Sequence, residues 1–442
     1  MAAMEDGADT REGFLRQAAL SYREIASLAG ALPDEGLTAG EVDRLLDEAK
    51  QADIDEAHGR LTMYSLLGSP EVQDVIRSAW AKFSYYNALF GQPSVVKMET
   101  ELVHWTAQMM GGGPGSRAFF TSGGTESVYS GVKAARDEAR QTMAQITAPE
   151  LVVPDTAHAA YNKAGEILGV KVVRVKTGED RVAGPELIAP ALTSSTIMIG
   201  GSAPNWPYAT FDDFVGLGEL ALENGLWLHS DACLGGFLSY FLRGLGEEVP
   251  PFDLTVPGVR SLSVDLHKYG YAAKPASVVV FPDDAAARHQ AFVFDDWAEG
   301  LYPTFTFAGS RPAGAVAAAW AAMRFLGREG YLRLARRILE VKARLTEGID
   351  AIEGLRCRDA WGSILLYDSE GFDIRAIARH LIDKGHYVMG TEERDGSTRL
   401  MHLTLDPVDD AWIDAYLADV REAAALARAG RIEIAGDELR YV

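Results

Sequence analysis

Cysteine is scarce in this chain: only Cys233 and Cys357 among 442 residues carry a thiol. Two thiols cannot cross-link a chain of this length into a disulfide framework, so the sequence indicates a reducing compartment. The opening residues lack the basic and apolar segments of a secretory signal. The longest charge-free stretch, between Glu186 and Asp212, contains too many glycine, proline and polar residues for a spanning helix. We therefore expect a cytoplasmic protein without a transmembrane segment.

Lysine and arginine are also few relative to the acidic residues. The chain has 42 lysines and arginines against 63 aspartates and glutamates, which gives a formal net charge of −21 and a pI near 4.9. A surface this acidic repels the phosphates of nucleic acids and of anionic membranes, so the sequence excludes both as general partners. A small anionic ligand stays compatible, because one pocket can be locally basic. With 48% hydrophobic residues, a chain of this length should form two or three packed parts.

Short apolar runs alternate with helical stretches from about residue 97 onward. This alternation predicts an α/β fold with a mostly parallel sheet, and runs rich in valine and isoleucine suit strands that are buried on both faces. We expect a helical arm over residues 1–60, a large domain over 61–325 and a smaller α+β domain over 326–442. The strands predicted for the large domain span residues 118–121, 151–154, 172–175, 196–200, 226–231, 261–265 and 277–281.

A glycine-containing loop, Thr121–Ser127, lies between a predicted strand and a predicted helix. Ligands of parallel sheets bind beyond the carboxyl ends of the strands. The glycines would let the backbone approach a ligand closely, and the helix N-terminus would offer free N–H groups to a phosphate. A plain strand-to-helix turn has the same composition, so the loop alone does not decide between the two interpretations.

Two charged residues stand at the ends of predicted strands. Asp231 could pair with a protonated pyridine nitrogen, or it could cap the turn that follows it. Lys268 follows the predicted strand 261–265 after Leu266 and His267. Partial burial would lower the pKa of Lys268 and make its amine a nucleophile, whereas a solvated loop lysine would have no such role.

His158 follows another predicted strand, where its ring could stack on an aromatic cofactor or cap a helix. The order of these features decides between the interpretations. A phosphate loop, a stacking histidine, a strand-end aspartate and a strand-end lysine on one sheet supply every part of a pyridoxal phosphate site. The sequence therefore predicts an enzyme dependent on pyridoxal 5′-phosphate (PLP), in which Lys268 carries the cofactor as a Schiff base.

Five segments carry a family resemblance: TSGGTES at 121–127, AHAAYNK at 157–163, DACLGGFL at 231–238, HKYGYAAK at 267–274 and GSRP at 309–312. Together they resemble the group II PLP-dependent decarboxylases and, among these, most closely the sphingosine-1-phosphate lyases. The resemblance covers about residues 59–425. It implies the aspartate-aminotransferase fold (fold type I), PLP as cofactor, no metal ion, a small-molecule amine as substrate, and a homodimer with active sites at the subunit interface.

The resemblance implies a role for each matching residue. Lys268 would hold the cofactor, Asp231 would pair with its pyridine nitrogen, and His158 would stack on its ring. Tyr64 and Lys274 would bind a substrate phosphate. Further cofactor contacts would come from Gly124, Thr125, His229, His267 and, from the neighbouring subunit, Ser310. The general base could be Tyr269, Tyr271, Lys274 or His229, and Tyr271 is included among the predicted catalytic residues.

One position departs from the family pattern. The family has a His-Pro pair after an Asn-Pro-Leu segment, but residues 87–92 read NALFGQ, so Phe90 stands where a phosphate-binding histidine is expected. A phenyl ring cannot donate a hydrogen bond to a phosphate.

The resemblance implies retro-aldol cleavage of a phosphorylated long-chain base to a fatty aldehyde and phosphoethanolamine. Because of Phe90, two alternatives stay open: decarboxylation of an amino acid, and an aldolase reaction on a non-phosphorylated β-hydroxy amine. A PLP-binding protein without catalysis is disfavoured, because Lys268, Asp231 and His158 are all retained.

Overall fold

The computed structural model describes residue 32 and residues 34–51, 66–88, 92–392 and 399–434. The chain divides into two compact units, Met1–Ile54 and Asp55–Val442. In the first unit, helix α1 (Ala39–Lys50) begins with a capping box, in which Thr38 and Glu41 each accept the other's backbone amide. The earlier helix predicted for the arm lies outside the described residues, and the predicted boundaries at residues 60 and 325 stay predictions.

The second unit is built on a seven-stranded sheet with the strand order β1-β7-β6-β5-β4-β2-β3. All strands run parallel except β7, which is antiparallel to both of its neighbours. The predicted α/β fold with a mostly parallel sheet is therefore confirmed. The strands are β1 (Arg117–Thr121), β2 (Glu150–Pro154), β3 (Lys171–Val175), β4 (Thr196–Ser202), β5 (Trp227–Asp231), β6 (Val259–Asp265) and β7 (Ser277–Phe281).

Two hydrophobic cores lie on opposite faces of this sheet. Consecutive side chains of a strand point to opposite faces, and in β7 Val278 and Val280 pack into one core while Val279 and Phe281 pack into the other. Burial on both faces explains why these strands read as continuous apolar runs. Up to residue 350 the described α-helices of this unit are α2 (Pro70–Phe83), α3 (Pro93–Met109), α4 (Gly124–Thr142), α5 (Ala160–Leu168), α6 (Pro185–Ile188), α7 (Phe214–Asn224), α8 (Gly236–Gly244), α9 (Asp284–Ala287) and α10 (Ala313–Asp350).

The C-terminal part carries a smaller antiparallel sheet with the order β10-β11-β13-β12. A separate hairpin, β8 (Phe292–Phe294) with β9 (Tyr302–Thr304), precedes α10. The predicted small α+β region is thus present, and its elements are β10 (Leu355–Arg358), β11 (Ile364–Ser369), α11 (Arg375–Asp383), β12 (Met389–Glu392), β13 (Arg399–Thr404) and α12 (Asp410–Arg428). Among the described residues, none of the helices combines the length and the hydrophobicity that a membrane span requires.

The topology positions the predicted site. Strands β1, β2, β4, β5 and β6 run in one direction, so their carboxyl ends lie along the same edge of the sheet. Thr121, Asp231 and Asp265 are the last residues of β1, β5 and β6. The loop Thr121–Ser127, His158, Asp231 and Lys268 lie at or just after these ends, where parallel sheets bind their ligands.

Candidate active site

Lys268 lies in a tight turn after β6, and its amine faces a buried carboxylate. Its Nζ atom is 3.0 Å from Oδ2 of Asp265, which is 2% exposed. Burial is the largest single influence on the pKa of Lys268 and lowers it, but the charge and hydrogen bond of Asp265, together with Cys233 and Asp231, outweigh burial, and the net result is a raised pKa. Burial raises the pKa of Asp265, yet the charge of Lys268 and the other groups around the carboxylate lower it overall. The lowered lysine pKa predicted from the sequence is therefore wrong, because that prediction considered burial without the ion pair.

Asp231 ends β5 with one carboxylate oxygen engaged and the other available. Oδ1 accepts hydrogen bonds from the Ser263 hydroxyl at 3.1 Å and from the Cys233 amide at 3.2 Å. Among the described residues, none donates to Oδ2. Asp231 is only 6% exposed as a whole, and a carboxylate held in such a place is stabilised by donors, so Oδ2 is suited to accept an N–H group of a ligand.

His229 lies on β5 two residues before Asp231 and is completely buried. Its Nδ1 is 2.7 Å from Ser261 Oγ, and its Nε2 is 3.3 Å from Ser263 Oγ. Burial lowers the pKa of His229 to about 4, although the charge of Asp231 acts in the opposite direction. The ring is therefore neutral near pH 7, and both of its nitrogens are engaged. His229 is connected to Asp231 through the Ser263 hydroxyl and does not itself line the site.

The Thr121–Ser127 loop presents backbone amides at the start of α4. Gly123 has a φ of +154°, a conformation that favours glycine, and its carbonyl accepts from the amides of Glu126 and Ser127. The amides of Gly124 and Thr125 precede the first intrahelical hydrogen bond, and no described residue accepts from them. Two amides at the positive end of a helix are an arrangement that binds phosphate groups.

This loop lies close to the strand-end aspartates. A Cβ atom at Gly124 would lie 2.6 Å from Cys233 Sγ and 3.2 Å from both carboxylate oxygens of Asp265. The buried Glu126 accepts from the amide of Ser122 at 2.7 Å and from that of Phe307 at 2.8 Å. Glycine at position 124 is thus required for the close approach of loop and strand. The structure brings the loop, Asp265 and the turn after Asp231 together.

His158 follows the end of β2 and is exposed. Its Nδ1 accepts from the amide of Ala160 at 3.1 Å, which fixes the ring at the start of α5. The Arg174 guanidinium donates to the carbonyl groups of His158 and Ala157 and so anchors the backbone below the ring. The position leaves the imidazole accessible to a planar ligand, and its stacking role stays a prediction.

A cavity of about 380 Å³ opens beside the lysine turn. His267 and Lys274 line it together with Arg77 and Gln73. Burial lowers the pKa of His267 although Asp265 opposes this, so the ring is neutral near pH 7. Cationic side chains and apolar walls share this cavity, which suits an amphiphilic anion. The apolar lining consists of Leu66, Leu67, Ile76, Trp80, Ala272 and Ala273.

Two candidate bases, Tyr269 and Tyr271, are buried in the lysine turn. The Tyr269 hydroxyl donates to the carbonyl of Leu405 at 3.2 Å, whereas the Tyr271 hydroxyl has no hydrogen-bond partner among the described residues. Tyr271 also has a φ of +53°, which is strained for a residue other than glycine. Burial, assisted by the charge of Asp406, raises the pKa of Tyr271 well above its usual value, so the phenol is protonated at neutral pH.

Ser310 is exposed and is held by the segment that precedes Phe90. The side-chain amide of Asn87 donates to Ser310 Oγ at 3.1 Å and accepts from the Arg311 amide at 3.0 Å. The Arg311 guanidinium forms a two-pronged ion pair with Glu99 and also donates to the carbonyl of Ala88. The contact of Ser310 with a neighbouring subunit's cofactor stays a prediction. Tyr64 and Phe90 themselves lie outside the described residues.

Sequence reasoning missed three residues that organise the site: Asp265, Ser263 and Glu126. Asp265 has the same sequence signal as Asp231, namely a carboxylate at the end of an apolar strand, but the sequence prediction selected the nearby Lys268 instead. Ser263 and Glu126 have no comparable signal. Their contacts with Asp231 and Phe307 join residues far apart in the sequence and follow only from the packed structure.

Comparison with known proteins gives a consistent set of relatives. Residues 77–355 match the profile described as the pyridoxal-dependent decarboxylase conserved domain. The sphingosine-1-phosphate lyase of Arabidopsis thaliana is 36% identical over 416 residues, covering 92% of this chain and 75% of the relative. Sphingosine-1-phosphate lyase 1 of Rattus norvegicus is 35% identical, covering 80% of this chain and 63% of the relative.

Solved structures agree with these sequence matches. The structure of a sphingosine-1-phosphate lyase from Burkholderia pseudomallei K96243 superposes with a TM-score of 0.83 at 32% identity, covering 92% of this chain and 95% of the other. A glutamate decarboxylase of Lactobacillus brevis superposes with a TM-score of 0.78 at 16% identity, covering 90% and 95%. The second likeness is evidence for the fold alone.

Proposed function

The chain belongs to the pyridoxal-dependent decarboxylase family, among its sphingosine-1-phosphate lyases, and we propose that it cleaves a phosphorylated long-chain base to a fatty aldehyde and phosphoethanolamine. It has fold type I, and its cofactor is PLP. The observation that supports the cofactor site on which the proposal rests is the Lys268–Asp265 ion pair together with the available Oδ2 of Asp231. The amphiphilic character of the adjoining cavity favours a phosphorylated lipid amine.

The donor and acceptor groups of the site fit PLP. Lys268 would hold it covalently, Oδ2 of Asp231 would accept the N–H of its pyridine ring, and His158 would stack on the ring. The amides of Gly124 and Thr125 would bind its phosphate. When bound, PLP accepts the electron pair of the bond that breaks at the substrate's Cα atom. Asp231 supports this chemistry because a carboxylate beside the pyridine nitrogen favours the protonated ring.

The cavity beside the lysine turn is assigned to the substrate. Lys274 and Arg77 would attract its phosphate, and Tyr64 is retained as a further phosphate contact. Ile76 and Trp80 would pack against the alkyl chain, since burial of apolar surface contributes about 25 cal/mol per Å². This assignment explains how a phosphate could be recognised in a chain that has Phe90 in place of a histidine.

Two proton transfers are required, and the residues differ in their suitability. His229 and Tyr269 are engaged in buried hydrogen bonds, whereas the Tyr271 hydroxyl has no partner among the described residues, so Tyr271 is the best candidate of these three for handling the proton of the substrate's β-hydroxyl. Lys274 is kept as the other candidate because it lines the cavity assigned to the substrate. Lys268, kept protonated by Asp265, is suited to return a proton to Cα after the aldehyde has left. The order of these steps follows from the reaction, because cleavage must precede reprotonation.

We also propose a homodimer. The hairpin β8–β9 and the residues after it expose apolar side chains, including Phe292, Val293, Leu301 and Phe307, the last of which is 67% exposed. Large exposed apolar patches mark interaction sites, and the Phe307 amide is bonded to Glu126 next to the phosphate loop. A second copy seated here would bring its Ser310 segment close to the site.

Light scattering should give a dimer mass for the unmodified protein. The double variant Phe307→Glu with Leu301→Glu should give a monomer mass. A monomeric unmodified chain would contradict the proposal.

Cytoplasmic location is proposed from the thiols. Cys233 and Cys357 form no disulfide, and Cys233 is buried against the site. A reducing compartment would keep both thiols intact. Cell fractionation should recover the protein with cytoplasmic markers, and recovery with a secreted fraction would refute this proposal.

The proposed reaction is tested with purified, PLP-loaded protein and sphinganine-1-phosphate, with products identified by mass spectrometry. Phosphoethanolamine and a long-chain aldehyde are expected, and Lys268→Ala should form neither. A matched assay follows carbon dioxide release from a panel of amino acids. Carbon dioxide without aldehyde would establish the decarboxylase alternative instead. Failure of both assays with fully loaded cofactor would overturn the lyase proposal and favour a non-phosphorylated β-hydroxy amine as substrate.

A further inference from the structure

The register of β5 and β6 aligns polar side chains on one face of the sheet. His229 lies opposite Ser261, and Asp231 lies opposite Ser263. Because side chains alternate along a strand, the two residues of each strand point to the same face. Polar groups therefore form a row on this face of the sheet, and the row leads to the edge where the site lies.

The donors at the two ends of this row are fixed, and the donors between them follow from those ends. The indole N–H of Trp227 donates to Ser261 Oγ at 2.7 Å. At the other end the Ser263 hydroxyl donates to Asp231 Oδ1, because a carboxylate can only accept. Ser263 Oγ must then accept from His229, so the ring proton lies on Nε2. The neutral ring leaves Nδ1 as an acceptor for the Ser261 hydroxyl at 2.7 Å. All donors consequently point from Trp227 toward Asp231.

The surroundings keep water away from this row. Ser261, Ser263 and His229 are all completely buried. A Cβ atom at Gly131 of α4 would lie 2.6 Å from His229 Nδ1 and 3.1 Å from Ser261 Oγ, so only a glycine lets the helix cover the pair this closely. The ring of Tyr161 packs edge-on against His229, with centroids 6.0 Å apart. Without competing water, the orientation of each group is set by its neighbour.

We propose that Trp227, Ser261, His229 and Ser263 form a directional hydrogen-bond relay that orients Asp231 for the pyridine nitrogen of PLP. Ser263 occupies Oδ1 and leaves Oδ2 directed to the ligand. Ser261 holds His229 in the Nε2–H tautomer, which prevents the Ser263 hydroxyl from turning away from Asp231. These four are positioning residues, and the inference rests on the proposed role of Asp231.

The first test removes one hydroxyl at a time. Ser263→Ala should raise the dissociation constant of PLP roughly tenfold, as expected for loss of a hydrogen bond to a charged group, and it should change the absorption spectrum of bound PLP. Ser263→Thr keeps the hydroxyl and should restore both. Ser230 offers a matched control, because it is equally buried on the neighbouring strand but points to the opposite face without a partner among the described residues. Ser230→Ala should leave both readouts unchanged.

The second test separates a relay from independent contacts. Ser261→Ala should weaken PLP binding less than Ser263→Ala, and the double variant should bind no more weakly than Ser263→Ala alone. Additive losses would overturn the relay. In protein labelled with ¹⁵N-histidine, the His229 resonances, identified with His229→Gln, should report a neutral ring protonated at Nε2. An Nδ1–H tautomer would overturn the donor order.

Asp231→Asn distinguishes failure of the relay from failure of the underlying site. If Asp231→Asn leaves PLP affinity and spectrum unchanged, the role of Asp231 is refuted and the relay falls with it. If Asp231→Asn changes both but Ser263→Ala changes neither, the site stands and the relay alone is refuted.

Discussion

Nζ of Lys268 and Oδ2 of Asp265 lie 3.0 Å apart, so the amine proposed to hold PLP has a negative charge beside it. A protonated amine cannot attack an aldehyde. The ion pair therefore sets the pH range in which Lys268 can react, and it does so against the effect of burial, which acts to lower the pKa of the lysine.

Asp265→Asn should shift covalent attachment of PLP to lower pH. Removing the carboxylate charge lowers the pKa of Lys268, so more of the neutral amine is present at a given pH. The midpoint of the pH dependence of PLP attachment should therefore move to lower pH by about one pH unit. The rate of PLP attachment to the apoprotein, followed by absorbance from weakly acidic to alkaline pH, measures the midpoint. Asp284→Asn, at a carboxylate that pairs with Arg117 on the surface, is the control. Equal midpoints for Asp265→Asn and the unmodified protein would refute the prediction.

Lys268→Ala should abolish covalent attachment altogether. Borohydride treatment of the loaded protein should fix PLP on the peptide that contains Lys268, and that labelled peptide should be missing from the variant. Lys163→Ala removes an exposed lysine of α5 within another of the resembling segments and should retain the label. Labelling of a different lysine in the unmodified protein would contradict the assignment.

The fold was largely accessible from the sequence because its signals are local. Apolar runs such as Val278–Phe281 predict strands that are buried on both faces, and the structure confirms all seven central strands. The antiparallel direction of β7 was not predicted, since direction depends on how the chain returns to the sheet. Strands β8 to β10 and β12 were missed because three or four residues carry little pattern, and pairing with distant partners makes them strands.

The site was accessible to a lesser degree. Residues that follow strand ends, such as Asp231 and Lys268, were found because topology places all such ends together. The raised pKa of Lys268 was not predicted, because it depends on Asp265, whose carboxylate lies 3.0 Å from the amine across a turn. The position of His229 behind Ser263 was also unpredictable, because it depends on the register between two strands that are far apart in the sequence.

Glu99→Ala should destabilise the fold. Glu99 and Arg311 are 19% and 13% exposed, and removing the carboxylate leaves a largely buried guanidinium without its charge partner. Breaking such a pair costs about 3 kcal/mol, measurable as the free energy of unfolding in urea. Asp74→Ala breaks the pair with Arg77 at a carboxylate that is 76% exposed, and it should change stability by less than about 1 kcal/mol. Equal effects of the two variants would count against the prediction.

Asp406→Asn should change how stability depends on pH. Asp406 accepts from the amide of Leu67 at 2.9 Å, and burial raises its pKa to about 7. Between about pH 4 and pH 7 the native state keeps a proton that the unfolded state has lost, so this residue makes stability fall as pH rises. The variant lacks this titration.

The free energy of unfolding of Asp406→Asn, relative to the unmodified protein, should therefore increase between about pH 5 and pH 8 by a few kcal/mol, because a difference of one in pKa between the native and unfolded states corresponds to about 1.4 kcal/mol. Denaturant unfolding at the two pH values measures the change. Asp414→Asn, at a side chain that is 68% exposed, controls for loss of a charge in general. A difference that stays constant with pH would show that Asp406 does not titrate in this window.

Phe90→His should improve the use of a phosphorylated substrate. The lyase resemblance places a phosphate-binding histidine at this position, and an imidazole adds a hydrogen-bond donor that phenyl lacks. One such bond to a charged group is worth about 1.5 kcal/mol or more, which corresponds to roughly tenfold in kcat/KM. Sphinganine-1-phosphate and sphinganine are compared, with Phe90→Leu as the control for loss of the ring. A gain confined to the phosphorylated substrate would place its phosphate near residue 90. Equal gains or losses for both substrates would instead mean that this chain recognises phosphate elsewhere, and the cavity of Lys274 and Arg77 would be the remaining site to mutate.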